Sequence, residues 1–297
     1  ASATSRMTIK NMRITGATGL INEGAGILVQ SGTSLGNITM ENVATVNNGG
    51  AGIAFNSTAA VSDVVITGST ISNNSNAGIR IASAVPSFTG LTVSSTTVAD
   101  NMSIGFSYNP NGTATNVGTD FTFTDVTFTN NNKADQSNQH DLSFFAFRGN
   151  ATLTNVAVAA NNTKAHAIAF TNNSTYGALG TVVLTNVTVT GKVGKGAITF
   201  QKYNNIAGVS MQNVDVRNVI APWGDIILEA TTGNTLALGN TQLKSVALWN
   251  AAGVDATNAQ FYTATGTALN RAVLADAFTI SNQVVDGVDA AGLGLVR

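Results

Sequence analysis

The chain has 297 residues, of which 43% are hydrophobic and only 10% charged, with a formal net charge of -1, 30 Gly, 3 Pro and no Cys. It is long enough to bury a core in one large domain or two ordinary ones, and its near-neutral balance argues against a nucleic-acid-binding protein. Thr, Asn, Ser and Gly stand where Lys, Glu, Arg and Asp normally cover a surface, and this β-leaning usage argues against a helical bundle or an α/β nucleotide binder. No stretch approaches ~18 consecutive apolar residues, which excludes a membrane-spanning helix, and the lack of Cys removes disulfides and thiolate metal sites. The start at Ala1 shows neither the basic nor the apolar region of a leader, so the expectation is that any export signal has been removed.

Taken in chain order, one apolar anchor recurs at Ile9, Met40, Ile66, Val93, Phe123, Leu153, Leu184, Met211 and Leu238, with spacings of 31, 26, 27, 30, 30, 31, 27 and 27 residues. Two residues before each anchor stand Met7, Ile38, Val64, Leu91, Phe121, Ala151, Val182, Val209 and Leu236. This apolar face of period two predicts a strand. Two residues after each anchor stand Asn11, Asn42, Gly68, Ser95, Asp125, Asn155, Asn186, Asn213 and Asn240. These types tolerate left-handed backbone or bond their own backbone, so the column predicts a tight corner. A second apolar pair follows at, for example, Val126 and Phe128 or Val156 and Val158, and predicts a second strand bent away from the first.

A third strand, introduced by Gly or Ala, is predicted at Gly26 to Val29, Gly52 to Phe55, Gly78 to Ile81, Gly105 to Tyr108, Ala167 to Phe170 and Ala197 to Phe200. Three short strands cannot bury themselves, but they can stack coil upon coil ~4.8 Å apart. A further polar column, Asn47, Asn73, Asp100, Asn130 and Asn218, reads as turn ladders. The longest insertion lies between Phe128 and Leu142, and register is lost from about Trp249 to Arg297.

The unit ITMENVATVNNGGAGIAF, Ile38 to Phe55, and its relatives resemble the right-handed parallel β-helix repeats of bacterial surface and secreted proteins. The resemblance covers roughly residues 6 to 250 and implies a fold shared by polysaccharide lyases, glycoside hydrolases, phage tailspikes and adhesins. The tail DAFTISNQVVDGVDAAGLGLVR resembles joints between modules of very large repetitive secreted bacterial proteins. The expected fold is therefore all-β: a single-stranded right-handed parallel β-helix of about nine coils over residues 1–248. A C-terminal cap or inter-module joint follows at 249–297, with the chain a piece of a longer polypeptide.

Stacking allows a search for chemistry by columns. The outward positions of the third strand are Leu28, Ala54, Arg80, Ser107, Ser143, Ala169, Thr199 and Ile227, none acidic. Asp141, Asp225 and Glu229 are neighbouring outward candidates, but their expected separations, ~14 Å for Asp141 to Asp225 and ~13 Å for Asp225 to Glu229, exceed the ~5–10 Å that glycoside hydrolysis needs. Charged residues gather between Asn130 and Lys202. His140 and His166 each lie two residues before a third strand, which predicts imidazoles ~5–7 Å apart in adjacent coils with Asp141 beside them. The candidate ligand site is thus His140, Asp141, His166, Lys164 and Arg148, suited to an anionic sugar or phosphate, with metal assistance weighed. The alternative is a solvated turn on the longest insertion. Tyr108, Phe145, Trp223 and Trp249 are candidates for stacking on sugars, with core or cap packing as the alternative. Outward Thr files beside the anchors, such as Thr122 and Thr124 or Thr152 and Thr154, resemble the ice-contacting faces of some antifreeze proteins.

The leading expectation is a non-enzymatic structural or adhesive module of a bacterial cell-surface or secreted protein. Its partners would be other copies or modules of the same protein or a cell-surface polysaccharide, with no nucleic acid, no cofactor and no bound metal. The runner-up is a polysaccharide lyase or glycoside hydrolase with its site near the 130–150 insertion. Ice binding is third.

Overall fold

The computed structural model describes residues 5–19, 24–109, 117–172, 177–230, 236–243, 246–249, 254–255, 260–261 and 295–296. Every pairing between strands is parallel, and the strands form two large sheets of 14 and 10 strands. The nine anchors stack without a slip, from Ile9 against Met40 through Phe123 against Leu153 to Met211 against Leu238. Nine stacked rungs enclose about eight full turns of a parallel β-solenoid.

The corner column explains why the chain turns where it does. All nine of its residues have positive φ, from 46 at Ser95 and Asn240 to 59 at Gly68. Asn, Asp, Ser and Gly reach this region at least cost. Their side chains then bond along the axis, Asn42 to Asn11 (2.8 Å), Asn155 to Asp125 (2.8 Å), Asn186 to Asn155 (2.8 Å) and Asn213 to Asn186 (3.0 Å). Because one residue makes the corner, the first and second predicted strands run on as one bent strand at Leu35–Val46, Val117–Thr129 and Ala151–Asn161. They therefore share the 14-stranded sheet rather than forming separate sheets.

Asn47, Asn73, Asp100 and Asn130 make a second corner, with φ of 57, 54, 56 and 49. Asn218 does not join it. Gly191 pairs with Val219, so Asn218 falls one position short of the column.

The third strands, from Ile27–Val29 to Val246–Trp249, stack in the second sheet. The eight predicted outward residues lie in one register, Leu28 to Ala54 to Arg80 to Ser107 to Ser143 to Ala169 to Thr199 to Ile227. Their inward neighbours build the core. Phe144, Phe170 and Phe200 form one column with rings stacked at 4.3 Å and 5.2 Å. Each such buried side chain contributes about 2–3 kcal/mol, and aromatic pairing adds about 1 kcal/mol.

Parallel pairing continues past Trp249, with Leu236 against Val254 and Val246 against Leu295. The expected cap or joint at 249–297, including the apolar strip Arg271 to Val288, otherwise lies outside the described residues. No helix among the described residues is long and apolar enough to cross a membrane.

Candidate functional site

The two residues that precede each third strand decide where the site forms. Immediately before it the column reads Gly26, Gly52, Gly78, Gly105, Asp141, Ala167, Ala197 and Asp225. One position earlier it reads Ala25, Ala51, Ala77, Ile104, His140, His166, Gly196 and Gly224.

Inside the first coils, Asn48, Asn74, Asn101 and Asn131 form a buried row. Each side-chain amide donates to the next Asn Oδ1 at 2.9 Å, from Asn48 through to Asn131. Asn74, Asn101 and Asn131 also donate back to the carbonyls of Thr45, Ile71 and Val98. The glycine column lies against this row: a Cβ on Gly78 would stand 2.6 Å from the Gly105 carbonyl oxygen and 3.0 Å from Asn101 Nδ2. The row ends at Asn162, whose Oδ1 turns to the amides of Ala165 and Gly194 and whose Nδ2 has no partner.

Asp141 enters the glycine column where the row ends. It is fully buried, and among the described residues neither carboxyl oxygen meets a partner in good hydrogen-bond geometry. Burial, only partly offset by the nearby Asn131 side chain and backbone, pushes its carboxyl up to about 8. This corrects the expectation that Asp141 faces outward beside the imidazoles. It sits at a corner where strand alternation does not apply, and its side chain goes inside. Asp225, one of the other outward candidates, is buried in the same column.

His140 and His166 are where the stacking argument put them, in adjacent coils with ring centroids 5.2 Å apart. The backbone amide of His166 donates to His140 Nδ1 at 3.0 Å, and the amide of Gly196 donates to His166 Nδ1 at 3.1 Å. A backbone N–H can only donate, so both Nδ1 atoms are bare and the neutral rings carry their proton on Nε2. The Gly196 carbonyl oxygen also lies 3.2 Å from His166 Nδ1, but the amide hydrogen decides the assignment. Burial, with help from His166 and Lys195, holds His140 well below the usual histidine range. Burial and the Lys195 charge bring His166 down to about 3.

These rings line a cavity of about 1010 Å³ on the outer face of the third-strand sheet. Its base is built from Ser107, Ser143, Phe145, Thr171, Gln201 and Glu229, and Asn138 and Gln139 of the long insertion form one wall. Lys195 and Trp223 stand beside the histidines and that wall. The Lys195 ammonium donates to Asn138 Oδ1 at 2.8 Å and lies 5.2 Å from the Trp223 ring centre. Trp223 stands edge-on to His166 at 5.8 Å and is 43% exposed. The outward positions Ala169, Thr199 and Ile227 are wholly buried under these segments, so the face is a covered cleft rather than a bare sheet.

Lys164 and Arg148 do not join the cleft. Lys164 Nζ lies 3.9 Å from Asp135 at the surface. Arg148 follows Ala146, whose φ of 50 turns the chain so that Phe147 packs in the core. The Arg148 charge acts on Tyr108 and Tyr203, whose phenols burial pushes above the usual range. Lys195 and Trp223 were each legible, as a charge and as an aromatic, but not as a pair. They occupy the column one position before the histidines, where Trp223 N–H donates to the Lys195 carbonyl.

The arrangement works against metal chemistry at the histidines, since a bare Nε2 would need a proton on Nδ1, opposite an N–H. Among the described residues no group of three His, Asp or Glu is placed to hold a metal ion. The Thr files are in register, Thr92 to Thr122 to Thr152 and Ser94 to Thr124 to Thr154, with Val65 and Val183 interrupting the first. Residues 1–141 match a family model described as right handed beta helix region. No curated protein and no solved structure matches the chain.

Proposed function

We propose that this right-handed parallel β-helix is a non-enzymatic adhesive module that works outside the cell and holds a polysaccharide in the cleft beside His140 and His166. The observation that carries this reading is the composition of that cleft. Trp223 and Phe145 offer apolar ring faces among side-chain amides and hydroxyls, the usual means of gripping a sugar, while Glu229 is the one carboxylate in the lining. Glycoside hydrolysis needs two carboxyls, and neither imidazole has a basic nitrogen free in its neutral form. The outer edge of Ser5–Thr15, whose one strand partner among the described residues is Leu35–Val46, supports stacking on a further coil from another copy or module.

A lyase is the second reading, because Lys195 lines the cleft and burial and the nearby Lys202 lower its ammonium from the ordinary lysine value. The two readings separate when the protein is incubated with a panel of acidic and neutral polysaccharides, with binding followed by calorimetry and products by reducing ends and ultraviolet absorbance. The adhesive reading expects binding that Trp223→Ala weakens about tenfold, with no product. Product formation that Lys195→Ala or Glu229→Gln abolishes would overturn it.

A further inference from the structure

We infer that His140 and His166 together form a paired N–H donor site for one anionic oxygen group, a carboxylate or a sulfate, carried by an acidic glycan. This deepens the glycan reading above and rests on it. In both rings the Nδ1 edge is taken by a backbone amide from the next coil, at 3.0 and 3.1 Å. The Nε2 edges have no protein partner among the described residues, and both rings line the cavity. Two such donors one rung apart, with centroids at 5.2 Å, suit the two oxygens of a single anionic group, and hydrogen bonds to a charged acceptor are the stronger kind.

The surroundings favour an anion at this end of the cleft. Lys195 acts electrostatically on both imidazoles, and Lys202 lines the same cavity. Glu229 lies further along, two coils beyond the strand that His166 introduces, where Gln201 pairs with it. Asp141 stands behind His140 and is protonated below about pH 8. A neutral ring held in this tautomer neither accepts a proton at Nε2 nor ligates a metal there. The site is a fixed donor pair, and it differs from an ordinary histidine anion site, which tightens as it becomes imidazolium. Binding is therefore expected to stay level between pH 7 and pH 5, because burial lowers both rings from the ordinary histidine value, His166 to about 3, and the Nδ1 edges already face backbone N–H groups.

The test uses the full chain with an oligogalacturonate, a sulfated oligosaccharide and an uncharged oligosaccharide of equal length, titrated by calorimetry at pH 7 and pH 5. Asn in place of His keeps an acceptor near the Nδ1 position and removes the donor from the cleft. The double variant His140→Asn, His166→Asn should weaken the acidic ligands about tenfold or more, with uncharged-ligand binding and the melting temperature at pH 7 held. His166→Gln, which restores an amide near the Nε2 position, should recover part of the loss. In the wild-type protein, nitrogen NMR should show both rings protonated at Nε2 alone and the Nε2 signals shifting on addition of acidic ligand. Which acidic ligand binds tells carboxylate from sulfate. Equal loss for charged and uncharged ligands, tightening at pH 5, or a proton on Nδ1 would overturn the donor pair while leaving glycan binding standing. Failure of every glycan to bind would remove both readings.

Discussion

In the coils whose third strands follow Gly26, Gly52, Gly78 and Gly105, the interior corner is filled by amides bonded to one another from Asn48 to Asn131. In the next four, Asp141, Ala167, Ala197 and Asp225 take the glycine positions, the amide row has ended at Asn162, and the outer neighbour becomes histidine in two coils. The backbone path is the same in both halves, since the strands pair in one register throughout. A closed amide row leaves no room for a Cβ beside it. Where the row stops, side chains enter the column, and the cleft spans the outer face of those coils and of the neighbouring Gly105 coil. Regularity and the candidate cleft go with alternative states of one column.

The sharpest way to break this contrast is Gly78→Ala. Its Cβ would stand 2.5 Å from Val98 Cγ1 and 2.6 Å from the Gly105 carbonyl, which should cost about 3 kcal/mol or more in urea unfolding. Ala167→Gly, in the same column, should cost about 1 kcal/mol. Equal costs would mean that the two halves are not packed differently. Next, Asn101→Ala removes the acceptor for the Asn74 amide and the donor to the Ile71 carbonyl inside a buried chain, and should destabilise by about 3 kcal/mol.

Asp141→Asn acts in the opposite direction. The folded carboxyl titrates near 8 against an ordinary 3.8, so the folded state holds its proton longer and wild-type stability falls as pH rises from about 4 to 8. The variant should gain stability as pH rises, by up to about 1.4 kcal/mol for each pH unit between 4 and 8, and nothing at pH 4, read from melting curves at both values. His166 has the opposite pH dependence. Its folded value is depressed to about 3, so stability is fully present above 6.5 and is lost as pH falls toward 3. His166→Asn should flatten that acid limb by up to about 1.4 kcal/mol per pH unit.

The anchors, the left-handed corner and the eight outward positions were all legible, because period-two strands and single-residue corners are local signals that stacking merely repeats. The distance between the imidazoles followed from the same logic. The buried row Asn48, Asn74, Asn101 and Asn131 was not, since each member follows a corner Asn or Asp and reads as more of the same turn. Asp141 was misjudged because alternation holds along a strand and fails at the corner before it. Lys164 and Arg148 were grouped with the histidines by nearness along the chain. In a solenoid, nearness is set by coil and column instead: Lys164 is two residues from His166, yet its ammonium meets Asp135 at the surface.

The left-handed corners have one more implication. Successive anchors are separated by anything from 26 to 31 residues, yet no anchor slips against the next. The chain keeps time by corners and not by counting, each corner resetting the phase before the next lap begins. Segments such as Lys133 to Gln139 can therefore lengthen, shorten or change composition while the laps above and below stay aligned. New recognition surfaces can arise on such a molecule one lap at a time, without renegotiating the rest.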